Sequence, residues 1–255
     1  MDSNPVKKPV AIIGGISGGI GLAVAKRLQA DGYTIAGFAR DAGRLDTITE
    51  TLPEAIVLPA DATDPAAVNK VFADLLEKTG GRVDAYVHAI GSILLKSAHS
   101  ISDEEWSNTI RQNLDSAFYC LRAVVKPMQK AGRGSIVLIS SVAARAGLPA
   151  HEAIAAAKAG VQGLALSAAA SYVSRNVRVN VVAPGLTETP MAKPLLASEQ
   201  GRKISEAMHP LGRVGQADEI AAMIRLLVST EGEWITGQVF SIDGGLSTIH
   251  QRPKI

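Results

Sequence analysis

The sequence predicts an α/β protein in one domain, a doubly wound parallel sheet of about seven strands with helices on both faces. Three observations predict it. Short β-branched runs alternate with amphipathic stretches of helical length, as in successive βαβ units. A glycine cluster separates the first such run from the first helical stretch. The 255 residues, 47% hydrophobic and 20% charged, supply a sizeable core and lack the composition of a disordered chain.

The first strand reads Val10-Ala11-Ile12-Ile13, apolar throughout, as a strand covered on both faces requires. A helix follows over about 19–30, and Gly32 ends it. Strand two is 34–39, a helix covers 42–52, and strand three is 55–60, running into Asp61. Asp64-Pro65 reads as an N-cap with proline at the first helical position, and Val68, Val71, Phe72, Leu75 and Leu76 recur at helical spacing behind it. Strand four is 83–89. Ser102-Asp103-Glu104-Glu105 is a capping box that opens a long helical region near residue 103. Strands follow at 135–140, 177–183 and 239–242, with an Ala-rich helix over 155–174. Ile220, Met223, Ile224, Leu227 and Val228 mark a last amphipathic helix. The stretch from Pro184 to Arg213 is the least regular, and about 186–213 is expected to be a flexible substrate loop. The domain spans 1–255, with disorder expected only in the tails, 1–8 and 248–255.

Composition narrows the partners. With 26 basic against 24 acidic residues, a net charge of +2 and no basic run, neither nucleic acid nor an anionic membrane is an expected partner. Small molecules and copies of the same chain remain. Cys120 is the single cysteine, which excludes an intrachain disulfide and a cysteine-based metal cluster. The five histidines show no H-E-x-x-H spacing, so no metal site is expected. Residues 1–9 carry charge and two prolines, unlike a signal peptide, and Ala153 to Val173 is interrupted by Lys158, Gln162 and serines. No membrane span is expected, and a cytoplasmic location is the default.

Gly14-Gly15-Ile16-Ser17-Gly18-Gly19-Ile20-Gly21 lies where glycines permit a tight turn and bring backbone N–H groups to a pyrophosphate at a helix N-terminus. This is the cradle of a Rossmann-type fold. The spacing of Gly15, Gly19 and Gly21 resembles the T-G-x-x-x-G-x-G fingerprint of the short-chain dehydrogenase/reductase family, with Gly14 in place of the threonine. The resemblance runs from Gly14 to Gly245. It includes Asp61-Ala62, similar to the pair that edges the adenine ring, His88-Ala89-Ile90-Gly91 where the family commonly has Asn-Asn-Ala-Gly, and Pro184-Gly185-Leu186-Thr187. Ala39 stands where an acidic residue would select NAD(H), and Arg40 follows it. A 2′-phosphate pairs with arginine, so NADP(H) is expected over NAD(H), the alternative being a solvated arginine on a turn.

The resemblance also implies a reaction centre. Asn113, Ser141 and Lys158 fall at the family's asparagine, serine and lysine, whose implied roles are to hold a relay water, orient the carbonyl oxygen and bind the ribose. The family's tyrosine precedes the lysine by four, and that position is Ile154. Ser141 keeps the usual thirteen-residue spacing to it, so a misplaced gap does not explain the mismatch. His151 precedes Lys158 by seven, similar to the tyrosine-to-lysine spacing of the enoyl-thioester reductases, a divergent branch of the superfamily. It is either a replacement general acid or a surface histidine at a helix start. For His88, a half-buried structural histidine at a strand end and a functional role are both open. The implied function is an NADP(H)-dependent oxidoreductase acting on a carbonyl, alcohol or activated alkene. The alternative is a dinucleotide-binding protein without redox turnover. The long Ala-rich helix is expected to join copies into a tetramer or dimer.

Overall fold

Each strand of the sheet is a run that the chain buries on both faces, and a computed structural model describing residues 8–250 shows how these runs align. The first half comprises β1 (Val10–Gly14), α1 (Gly19–Ala30), β2 (Thr34–Ala39), α2 (Ala42–Thr51), β3 (Ile56–Pro59) and α3 (Pro65–Lys78). Then come β4 (Ala85–His88), α4 (Asp103–Ile110), α5 (Ser116–Ala131), β5 (Gly134–Ile139), α6 (Glu152–Tyr172) and β6 (Val177–Pro184). The chain continues through β7 (Thr187–Glu188), α7 (Lys193–Leu196), α8 (Glu199–Met208), β8 (Gly215–Gln216), α9 (Ala217–Val228) and β9 (Val239–Ile242).

Seven strands form one parallel sheet in the order β3-β2-β1-β4-β5-β6-β9. Gly14 is in register with Phe38 on one side and His88 on the other, so the order reverses between β1 and β4. Loops leaving those strands diverge and open a crevice at the carboxyl edge. Side chains alternate across the sheet. Ile12, Tyr86, Ile136 and Val179 pack with Phe72, Val124 and Val161 on one face. On the other face, Ala11, Ile13, Val87 and Val137 pack with Val24, Leu28, Ile220 and Ile224. The expected caps form: Asp64 accepts from the Ala66 N–H ahead of α3, and Ser102 and Glu105 exchange both bonds of a capping box.

Four expectations change. The 186–213 segment is not irregular: Thr187–Glu188 pairs with Gly215–Gln216, and α7 and α8 lie between them. Ser198 caps α8 by accepting from Gly201 N–H, a signal present in the sequence but obscured by the surrounding glycine and proline. The helical region from 103 to 131 is interrupted by a π turn at Arg111–Asp115. The Ala-rich helix begins at Glu152 instead of 155, and Glu152–Arg175 is long and apolar enough to cross a membrane by length and composition. Alanine raises its mean hydropathy although polar residues interrupt it, and its buried face packs on the sheet through Val161, Ala165 and Ala168. Finally, His88, at the end of β4, is wholly buried rather than half-buried. Most of the two tails, 1–7 and 251–255, lies outside the described residues.

Candidate active site

The glycine loop is shaped by steric exclusion. Gly15 has φ +79°, and a Cβ there would lie 2.6 Å from the Ala89 carbonyl oxygen; a Cβ on Gly21 would collide with the Gly15 carbonyl. That same carbonyl accepts from Gly18 N–H at 2.9 Å, which closes the turn. No side chain caps α1 at Gly18, so the N–H groups of its first turn, from Gly19, Ile20 and Gly21, lack a side-chain acceptor, as at helix starts that can receive an anion. A Cβ on Gly19 would meet Thr189 at 2.7 Å, so the segment after β7 reaches back over the loop.

At the end of β2, Arg40 is exposed on a bend. Arg44, one turn into α2, donates to the Ser17 carbonyl, placing a second guanidinium beside the glycine loop. The sequence reading passed over Arg44, although its spacing from Arg40 puts both at the start of one helix. At the end of β3, Asp61 accepts from the Thr63 N–H and hydroxyl at 2.9 Å each, and Ala62 is buried.

A cavity of about 420 Å³ occupies the crevice. It gathers Ile20, Ala89, Gly91, Asn113, Ser141, His151, Lys158, Pro184, Gly185 and Thr187 from the predicted site residues. Gly15, Ser17, Gly18, Gly19, Gly21, Arg40, Asp61 and Ala62 lie outside its lining, on the loop between β1 and α1, the start of α1, and the ends of β2 and β3. Met191 and Leu195, beside and within α7, and Ile204 and Met208 of α8 form an apolar roof.

Asn113 sits in the π turn, where an extra residue per turn re-aims a side chain inward. Its Nδ2 donates to the Thr109 carbonyl and the Ser92 hydroxyl at 3.0 Å each, and its Oδ1 accepts from Ser92 N–H at 3.1 Å. A Cβ on Gly91 would lie 2.6 Å from Asn113 Oδ1 and 3.1 Å from Lys158 Nζ. A glycine at 91 is therefore what lets these two side chains converge. Lys158 is buried, its Nζ donates to the Ile139 carbonyl at 2.9 Å, and burial lowers its pKa to about 8. The Ser140 hydroxyl donates to the Lys158 carbonyl at 2.8 Å, with Gln162 Nε2 donating in turn to Ser140. Ser140 thus seats the lysine's stretch of helix on β5, a role that a serine pair in sequence does not reveal.

Ser141 Oγ accepts from Ala143 N–H at 3.2 Å, which leaves its hydroxyl proton uncommitted at the cavity wall. His151 is the N-cap residue of α6, just outside helical geometry, yet it lines the same cavity as Lys158. Its Nδ1 lies 2.7 Å from the Pro149 carbonyl, which only accepts, so the proton sits on Nδ1 and Nε2 carries the lone pair. Ile154 is buried against the cavity one turn before Lys158, and none of the four tyrosines, Tyr33, Tyr86, Tyr119 or Tyr172, lines it.

Below the polar centre lies a buried chain of hydrogen bonds. The Ser116 hydroxyl donates to the Gln112 carbonyl at 2.8 Å, so its oxygen accepts from His88 Nε2–H at 3.2 Å. His88 Nδ1 is left to accept from the Tyr86 hydroxyl at 2.9 Å. Burial, and then the charge of Lys158, lower the His88 pKa to about 3, so the ring is neutral. It braces the π turn from inside the sheet.

Known proteins share this fold over nearly the whole chain. A family model described as enoyl-(acyl carrier protein) reductase matches residues 15–247. The chain is 36% identical over 238 residues to the 3-oxoacyl-[acyl-carrier-protein] reductase FabG of Escherichia coli, covering 93% of this chain and 96% of the relative. It is 36% identical over 251 residues to the short-chain dehydrogenase/reductase eriH of Hericium erinaceus, with 93% and 97% covered. Among solved structures, ElxO with NADP bound superposes with a TM-score of 0.89 at 27% identity, covering 94% of this chain and 98% of that one. An actinorhodin polyketide ketoreductase with NADPH gives 0.91 at 28%, covering 95% and 98%. Sheet order, glycine loop and full-length similarity agree, and the chain belongs to the short-chain dehydrogenase/reductase family of oxidoreductases.

Proposed function

We propose that the protein is an NADP(H)-dependent oxidoreductase that moves hydride to or from a small carbonyl or alcohol compound, or an activated alkene, with His151 handling the proton. The observation that carries this reading is the shared cavity: His151, with Nε2 free, lines it together with Lys158, Asn113 and Ser141. In the proposal Ile154 occupies the position of the family's tyrosine, and an isoleucine transfers no proton.

The cradle fits a dinucleotide, since Gly15 and Gly21 leave open the space a Cβ would fill. Gly15, Ser17, Gly18, Gly19, Ile20 and Gly21 would hold the pyrophosphate, and Arg40 a 2′-phosphate. Asp61 and Ala62 would edge the adenine, and Ala89, Gly91, Pro184, Gly185 and Thr187 would flank the nicotinamide. The NADP and NADPH carried by the similar structures support that choice. The cofactor supplies or accepts the hydride. Lys158 holds the ribose hydroxyls, Ser141 orients the reacting oxygen, and Asn113 with Ser92 retains a water. In reduction, protonated His151 donates Nε2–H to the developing alkoxide and recovers its proton from solvent. The roof of Met191, Leu195, Ile204 and Met208 favours an apolar substrate body.

The test is NADPH oxidation over a panel of ketones and enones. Turnover that falls about a hundredfold in His151→Phe supports the proposal. Unchanged turnover removes His151 from it. Tight NADPH binding without turnover, together with activity gained in Ile154→Tyr, would replace it with a noncatalytic dinucleotide-binding protein. Assembly belongs to the same reading: Phe118 of α5 and Leu166 of α6 are exposed apolar residues on the outer helices, and a homotetramer or dimer would cover them. A monomer in light scattering at working concentration would refute that part.

A further inference from the structure

His209 lies buried just beyond α8 and lines the cavity on the side of the roof. Its ring joins two elements. Nδ1 is 2.7 Å from the Ser205 carbonyl within α8, and Nε2 is 3.1 Å from the backbone nitrogen of Leu186. A carbonyl only accepts and an amide N–H only donates. The proton therefore sits on Nδ1, and the Nε2 lone pair takes the Leu186 N–H.

Its surroundings leave the ring little freedom. A Cβ on Gly185 would come within 2.7 Å of Nε2, so glycine there is what admits the imidazole against the backbone. Two residues on, Leu211 N–H donates to the Gly244 carbonyl at 3.1 Å, which ties the same turn to the strip carrying the cavity-lining Leu246. Leu186 belongs to the Pro184–Thr187 strip, while α8 bears Ile204 and Met208 of the roof. A second side-chain bridge from α8, Arg202 to Glu188 at 2.8 Å, is solvent-exposed, and exposed pairs contribute little. Loss of the buried imidazole bond instead leaves the Leu186 N–H without its partner.

We propose that His209 is a positioning residue that couples the two sides of the cavity: a cofactor lodged against Pro184–Thr187 fixes Leu186, Leu186 fixes the imidazole, and the imidazole fixes α8 over the substrate. The coupling rests on the cofactor reading given above. It is reciprocal, so a ligand under α8 tightens cofactor binding by the same factor that the cofactor tightens the ligand.

Amide hydrogen exchange across residues 199–208, with and without NADPH, tests it. In the wild-type protein NADPH slows this exchange by about tenfold or more. His209→Asn keeps a donor near Ser205 but is too short to reach Leu186. That variant binds NADPH within about threefold of wild type while the slowing drops below about twofold. His209→Gln, which returns an acceptor to Leu186, restores it. His209→Leu repeats the loss in a side chain that keeps apolar packing, should the Asn variant fold poorly. Full slowing in the Asn and Leu variants overturns the proposal, as does a wild-type protein that binds NADPH without slowing α8. Failure of the wild-type protein to bind NADPH at all is a different result: it overturns the cofactor reading, and the coupling falls with it.

Discussion

The glycine cradle and the polar centre open onto one crevice, but the first is made of backbone and the second of side chains. Around Gly15, Gly18 and Gly21 the shape is set by what is missing, since a Cβ at 15 or 21 would strike a carbonyl. Around Asn113, Ser141, His151 and Lys158 it is set by side chains, each held by a neighbour: Ser92 and Thr109, Ala143, Pro149, and Ile139 respectively. In a backbone cradle a methyl group added at 15 or 21 must displace main chain. In a centre built from side chains each member has its own support, so one can change without moving the rest, and Ile154 is buried at the same cavity wall as Lys158.

The largest test of this contrast concerns His88, the buried brace of the side-chain centre. Its pKa is about 3 in the folded protein against an ordinary 6.5, so between those values the unfolded chain binds the extra proton. Stability is unaffected by this group above pH 6.5, declines as pH falls, and by pH 3 has lost on the order of 5 kcal/mol. Urea unfolding at stepped pH measures it. His88→Asn flattens that part of the profile, and an unchanged acid limb in the variant would mean that the buried imidazole is not its source. On the backbone side, Gly21→Ala forces the Gly15 carbonyl to move. The expected cost is about 1–3 kcal/mol of stability, with NADPH affinity lowered about a hundredfold by loss of the N–H array. Near-normal affinity in the variant would show the cradle to be softer than its contacts imply.

The same division explains what the sequence made legible. Glycine spacing, strand periodicity and capping residues are local, and β1, α1, β2, α3 and β9 fall where their residues place them. The cradle was readable for that reason. The roof was not: α7 and α8 lie in a segment whose prolines and glycines imitate a loop, and only the Ser198 cap and the seat of α8 on His209 reveal the order. The π turn at Asn113 depends on long-range bonds to Ser92 and on the buried chain through Ser116 and His88, none of which leaves a local pattern. Seven-residue spacing suggested that His151 and Lys158 share a cleft. They do, although His151 sits at the cap, where the Pro149 carbonyl rather than helical geometry orients its ring.

A smaller effect probes the lysine. Burial lowers the Lys158 pKa to about 8, so the ammonium that would hold the ribose is present below that pH and lost above it. In the proposed reaction, loss of this ammonium adds a fall in kcat/KM for reduction of about tenfold per pH unit above about pH 8, on top of the fall that follows loss of the His151 proton. Lys158→Arg moves the limb out of range, because a guanidinium stays charged there. A limb that persists in the arginine variant belongs to another group.

The smallest expected effect lies at the outer edge of the cradle, where a side chain takes over from backbone. Arg40 is exposed, so the proposed contact with a 2′-phosphate would be partly screened by water and worth about one factor of ten in affinity. Arg40→Ala therefore weakens NADPH binding about tenfold and leaves NADH binding unchanged, because NADH has no phosphate for the arginine to meet. Arg44, tied to the Ser17 carbonyl, offers a second charge, and the double variant Arg40→Ala/Arg44→Ala separates the two contributions. Equal losses for NADPH and NADH in the single variant would assign Arg40 to loop structure rather than to cofactor choice. Tighter binding of NADH than of NADPH in the wild-type protein would break the preference outright, since the features proposed to favour NADP(H) are Ala39 where an acidic residue would select NAD(H) and the exposed arginine that follows it.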